Sequence, residues 1–241
     1  MRMARGIGLA AIIMCMATWA GAAEDGWHLQ LTPYMWFVNI DGTVSVGDRE
    51  ADFSADFSDL VDKVDLGGGL MAVGACNHWV CFVQGDYFEL SQDFDQGPGG
   101  DLESDILYVD GAFGYRFGGS AGGASVDVLG GARYFRNENE VTVRGVGSAD
   151  DTSDLLDGIL MLRASHPLAF LSEKLRFEGT ASIGAGDSDL VWELQPELTY
   201  QFNDRFAGRA GYRRIEYEFE DGAADVDVGY QGFLVGLDVK L

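Results

Sequence analysis

The sequence predicts an all-β chain, a transmembrane antiparallel up-and-down β-barrel of about ten strands, with eight or twelve also compatible. Three observations carry that prediction. First, Phe233, Val235, Leu237, Val239 and Leu241 alternate with Gly232, Leu234, Gly236, Asp238 and Lys240 at the end of the chain. Successive strand side chains point to opposite faces, so one face is apolar and the other mostly small or polar, Leu234 being the exception. Second, the same division recurs from Leu190 to Phe202, where Leu190, Trp192, Leu194, Pro196, Leu198, Tyr200 and Phe202 alternate with Val191, Glu193, Gln195, Glu197, Thr199 and Gln201. Third, mean hydropathy is near zero. Past the N-terminus no run approaches the ~20 apolar residues of a spanning helix. Lipid-facing and interior residues of a barrel cancel in this way.

The N-terminus reads as an export signal. Arg2 and Arg5 supply the positive start, Ile7 to Ala17 the apolar core, and Ala20 to Ala23 the small residues before cleavage. Cys15 follows Ile13-Met14 and does not make a lipid-attachment site. Cleavage after Ala23 leaves 218 residues (241 − 23), read as one barrel domain over 24–241. The formal charge of -23 becomes -25 without the two signal arginines, which excludes nucleic acid as a partner. Thirty-four Gly and only four Pro suit strongly curved sheets.

Taken in order, Trp27 to Asn39 is the first strand, with Leu29, Leu31, Pro33, Met35 and Phe37 on one face. Residues 40–47 read as a turn, with a short hairpin as the alternative. Phe53, Phe57, Leu60, Val61 and Val64 recur at helical spacing, predicting a short amphipathic helix over 53–64 in the first loop. Strands follow over 65–77, 79–94 and 102–117, the last with Leu107, Val109, Phe113, Tyr115 and Phe117 outward. The next starts at Ser125, and its polar second half projects past the membrane. Residues 148–154 read as a loop. Strands over 155–167, 175–184, 190–202 and 205–220 lead to the last, Asp225 to Leu241. Between 205 and 220 the apolar residues change parity near Arg213, from Phe206, Ala210 and Tyr212 to Ile215, Tyr217 and Phe219, which predicts a β-bulge. Pro196 predicts another irregularity, because it removes a ladder donor.

Cys76 and Cys81 flank a tight turn, and in an oxidising compartment such a pair is expected to form a disulfide. A metal held by Cys76, His78 and Cys81 lacks a fourth ligand nearby, so no metal is expected. The inward positions are rich in charge: Asp86, Asp110, Arg116, Arg133, Arg163, Arg176, Glu178, Glu193 and Glu197. A narrow barrel is filled by side chains, so these predict a structural ion-pair network, with a constricted pore as the alternative. His28, His78 and His166 fall near strand ends. Ser165 and His166 are adjacent and face opposite ways, so they do not form a dyad, and no enzyme is expected. The acidic loops lack the spacing of a calcium loop and read as solvated charge.

Several local patterns resemble a family of small proteobacterial outer-membrane β-barrel proteins. They are Pro33-Tyr34-Met35-Trp36 followed by Gly42, Asp56 to Leu60, Gly131-Ala132-Arg133-Tyr134, Gly211-Tyr212-Arg213, and Tyr230 to Phe233 running on to Leu241. Such proteins typically end in Phe, where this chain has Leu241. The resemblance implies a bacterial outer-membrane location, contact with outer-membrane lipids, and recognition of the C-terminal strand by the barrel-assembly machinery. It implies no reaction, no catalytic residues and no cofactor. The expected role is structural or passive, with at most permeation of a small solute. A surface-binding module using acidic outer loops is the second expectation, and a lipid-modifying enzyme the third.

Overall fold

Alternation of side chains along nearly every segment has its counterpart in the computed structural model, which describes residues 26–46, 49–55, 64–94, 100–118, 123–143, 147–221 and 224–241. The strands are β1 (Trp27–Val46), β2 (Arg49–Ala55), β3 (Val64–Cys76), β4 (Trp79–Phe94), β5 (Gly100–Gly118), β6 (Ser125–Val143), β7 (Gly147–Pro167), β8 (Leu175–Gly186), β9 (Leu190–Gln201), β10 (Phe206–Asp221) and β11 (Ala224–Lys240). Each pairs antiparallel with its neighbour, and β11 returns to β1. Ten strands close the ring. The eleventh, β2, pairs with the upper half of β1 (Ile40 to Val46), on the edge that β3 occupies lower down (Trp27 to Tyr34). Closure leaves no open edge in the apolar zone, where an unpaired backbone would cost several kcal/mol per group.

The outer face carries the apolar residues. Phe113, Leu160, Ile183, Leu194, Leu198, Val235 and Leu237 are all exposed on the isolated chain. Leu107 to Phe117 on β5, Val126 to Tyr134 on β6, and Phe233 to Leu241, through the end of β11 and the residue after it, each supply the ~9–11 residues a tilted strand needs to cross the hydrocarbon. The upper limit of this band follows the register. Phe37 lies opposite Phe233, and the next outward pair is Asn39 and Gln231. Tyr87 lies opposite Leu107, and the next outward pair is Glu89 and Asp105. At the lower limit Trp79 stacks on Phe113 at 5.3 Å and meets Tyr115 edge-on, an interfacial aromatic girdle.

Five sequence expectations change. Residues 40–46 continue β1 rather than turning, and 148–154 belong to β7. The helix expected over 53–64 begins in what is strand β2 as far as Ala55 and ends in β3 at Val64; residues 56–63 lie outside the described residues. The bulge expected near Arg213 is absent. β10 pairs with β11 without a shift from Phe206 to Asp221. Ile215 and Tyr217 are therefore interior residues, with no exposed surface. Nor does Pro196 shift the register: it sits opposite Gly179 of β8, and the β9–β10 register resumes unshifted beyond it. Pro33 behaves likewise between Leu31–Val239 and Tyr34–Gly236. Each proline removes one donor from the ladder and nothing more.

Candidate functional site

The interior is built in layers, because each strand contributes every second side chain at a fixed height. At mid-height β4 supplies Gln84 and Asp86, β5 Asp110, β6 Arg133, β9 Glu193 and Gln195, β10 Arg213, and β1 Tyr34. All are buried. Arg133 forms a two-pronged pair with Asp110 (2.7 and 2.6 Å) and also contacts Glu193. Arg213 donates to Glu193 at 2.6 Å and to Asp86 at 2.5 Å. Tyr34 donates to the second oxygen of Asp86 at 2.6 Å, and Gln84 donates to Tyr34 at 2.7 Å. Glu193 thus joins two guanidiniums and Arg213 joins two carboxylates, in a chain reaching from β5 to β10 and back to β4. Gly69 of β3 makes room for it: a Cβ there would fall inside the Tyr34 ring and against Asp86.

Nearer the termini lies a second charged layer. Arg209 of β10 holds Asp238 of β11 (2.8 and 3.0 Å), Glu197 of β9 (2.5 Å) and Glu178 of β8 (2.6 Å). Thr32 of β1 donates to Asp238 at 2.8 Å. On the other side Arg116 forms a two-pronged pair with Asp127 (2.7 and 2.8 Å), and Arg163 approaches Asp127 at 3.6 Å while lying over the Phe82 ring at 4.9 Å. Two-pronged pairs with a charged acceptor are the strong class of hydrogen bond. They offset the large cost of taking both charges out of water.

Above mid-height the interior becomes aromatic. Trp36, Phe88, Tyr108, Phe135, Tyr217 and Tyr230 have ring centroids 4.9 to 6.3 Å apart. The Arg213 guanidinium lies 4.8 Å from the Trp36 ring and links the two zones.

Of the nine charges expected inside, eight are brought into these two layers. Arg176 is not among them: it donates to Ser165 (2.8 Å) and to the Gly123 carbonyl (3.1 Å) at the lower rim. Sequence reasoning left Arg209 and Arg213 off the list: Arg213 fell at the misread parity change in β10, and Arg209, though opposite in parity to the outward Phe206 and Ala210, was passed over. A signal was available: five carboxylates stood against only four arginines in that inventory, so further cations were due.

The expected disulfide is not formed, and Cys76 and Cys81 are thiols. Cys76 lies opposite Trp79 and Cys81 opposite Gly74, so the two are offset along the hairpin rather than directly opposed. The turn between them places Asn77 at φ 53°, a conformation Asn tolerates. Among the described residues no group of three or more His, Cys, Asp and Glu is placed to hold a metal.

The family model described as "Outer membrane protein beta-barrel domain" matches residues 7–240. No curated protein matches the chain. Among solved structures, the outer membrane protease OmpT from Escherichia coli aligns with a TM-score of 0.55 at 8% identity, over 90% of this chain and 97% of that one. The attachment invasion locus protein Ail of Yersinia pestis, solved with a heparin analogue, aligns at 0.42 and 13%, over 89% and 99%. The transport unit of the autotransporter AIDA-I from E. coli aligns at 0.44 and 8%, over 90% and 89%. The likeness to OmpT concerns the fold alone.

Proposed function

We propose a structural, non-conducting role for this chain, which belongs to the outer membrane protein β-barrel domain family. One observation carries the reading: side chains tie opposite walls together across the lumen. Gln84 of β4 donates to Gln195 of β9 at 3.4 Å, and Arg213 of β10 pairs with Asp86 of β4. Asp86, Arg133, Glu193 and Arg213 are each no more than 1% exposed, so these charges offer almost no surface to water in the lumen. The aromatic layer adds a second barrier. In this reading the nine charges named from the sequence support the wall rather than line a path. The barrel displays its upper strands, and the end bearing the termini faces the periplasm. Its partners are the surrounding lipids and, during assembly, the machinery that receives the C-terminal strand. The reading assigns it no reaction.

Planar-bilayer recording of the folded protein tests the proposal. The expected result is no channel steps; reproducible unitary conductance would replace the reading with a narrow pore for small solutes.

A second reading, display of a binding surface, draws on the upper strands. Asp105, Glu138, Glu140, Asp150, Asp154, Glu216, Glu218, Asp225 and Asp227 lie above the apolar band. A surface of this sign attracts cationic partners and loses them as salt screens it.

A further inference from the structure

The turn from β7 to β8 differs from two other turns at the lower end. The β3–β4 turn presents Asn77 and His78, and the β9–β10 turn presents Asn203, Asp204 and Arg205. The β7–β8 turn presents Phe170 and Leu171, 81% and 65% exposed, ahead of the exposed Glu173 and Lys174. Both are more exposed than Phe113 or Leu160 in the middle of the lipid-facing band.

Nor is this a loose loop. The Leu168 carbonyl accepts from Leu171 N at 2.9 Å and from Ser172 N at 3.0 Å. Leu168 N donates to the Leu175 carbonyl at 2.8 Å, and Leu175 N to the Ser172 carbonyl at 3.1 Å. The Ser172 hydroxyl accepts from Lys174 N at 3.2 Å. Gln201 N donates to the Lys174 carbonyl at 2.9 Å, which fastens the turn to β9 one residue before Phe202. The backbone is tied at both ends, and two large apolar side chains are held without a protein partner to cover them.

The surroundings indicate what covers them. Phe177, Tyr200, Phe202 and Phe206 form the lower edge of the apolar band on β8, β9 and β10, all on the outer face. The turn runs directly into that edge, since Leu175 lies opposite the outward Tyr200 and the Lys174 carbonyl accepts from Gln201 N. An exposed apolar surface rigidly held and continuous with a lipid-facing belt is matched by lipid rather than by water. We propose that Phe170 and Leu171 insert into the membrane leaflet at the lower end of the barrel and extend its lipid contact beyond the last strand residues. In the orientation proposed above this is the periplasmic leaflet. Only that name rests on the orientation, so the outcome of the conductance test leaves the insertion itself untouched.

Depth measurement by spin labelling tests it. A nitroxide is placed at Phe170→Cys, and separately at Leu171→Cys, in a Cys76→Ser/Cys81→Ser background. The full barrel is folded into vesicles of phosphatidylethanolamine and phosphatidylglycerol. Labels at Leu160→Cys and Asn203→Cys serve as the lipid and water references, and heat-modifiable gel migration selects folded protein. The expected result is a ratio of oxygen to nickel-chelate accessibility at 170 and 171 several-fold above that at 203. A ratio equal to that at 203 overturns the proposal, because the turn then stands in water. A label shielded from both reagents also overturns it, because the turn then packs against protein.

Discussion

The lower and upper halves of the interior are closed by opposite means. At and below mid-height, guanidiniums and carboxylates interlock, with Arg133, Arg209 and Arg213 each touching at least two carboxylates. Above it, aromatic rings pack against one another. The contrast teaches that a narrow barrel needs its lumen filled but does not dictate with what. The two fillings fail differently. Removing one member of a buried ion pair strands the other charge, a cost of about 3–5 kcal/mol. Trimming a ring loses area and contacts but strands no charge.

Arg213→Leu tests that contrast most severely. It leaves Asp86 and Glu193 short of a cation, and urea unfolding in vesicles is expected to show a loss of about 3–5 kcal/mol. Tyr108→Leu in the aromatic zone is expected to cost about 1–3 kcal/mol in the same measurement. If it costs as much as Arg213→Leu, the two zones do not differ in kind. Asp238→Asn sharpens the picture within the charged zone. Arg209 retains Glu178 and Glu197, and the amide still accepts from Thr32, so a loss of about 1–2 kcal/mol is expected. A cost matching that of Arg213→Leu would show that Arg209 needs all three carboxylates. The smallest effect belongs outside both zones. Cys76→Ser with Cys81→Ser is expected to move stability by no more than ~0.5 kcal/mol. Titration of denatured, unreduced protein is expected to find both thiols.

Much of the fold was legible because the apolar band obeys a strict two-residue period. The split of Leu107 to Phe117, or of Leu190 to Phe202, follows from that period alone. Legibility failed where the period loses its meaning. Residues 148–154 of β7 and the upper part of β1 rise beyond the lipid, where both faces are wetted and polar residues on either side cease to mark a strand. Inside the aromatic zone the failure reverses. Ile215, Tyr217 and Phe219 point inward, so apolar character no longer means lipid-facing, and an unbroken strand imitates a bulge. The inward charges could be named one by one, yet their pairing could not. Arg213 meets Asp86 across 127 positions of chain, and only closure of the ring brings them together. The cysteine spacing was visible, but the offset of Cys76 from Cys81 depends on which residues the hairpin sets opposite each other.

The unequal strand lengths have a consequence for neighbours. β6 and β7 run for 19 and 21 residues, whereas β8 and β9 run for 12 each. Among the described residues the rim is therefore uneven, high at β6–β7 and cut low at β8–β9. Seen along the plane of the membrane, the molecule has a front and a back. Two copies drifting together with tall sides facing repel over the ~8 Å that physiological salt allows. On the low side, Ile183 and Leu194 lie beneath a rim that carries the exposed Asp187 and Asp189. A neighbour in the same membrane therefore meets a different height of wall according to the side from which it approaches.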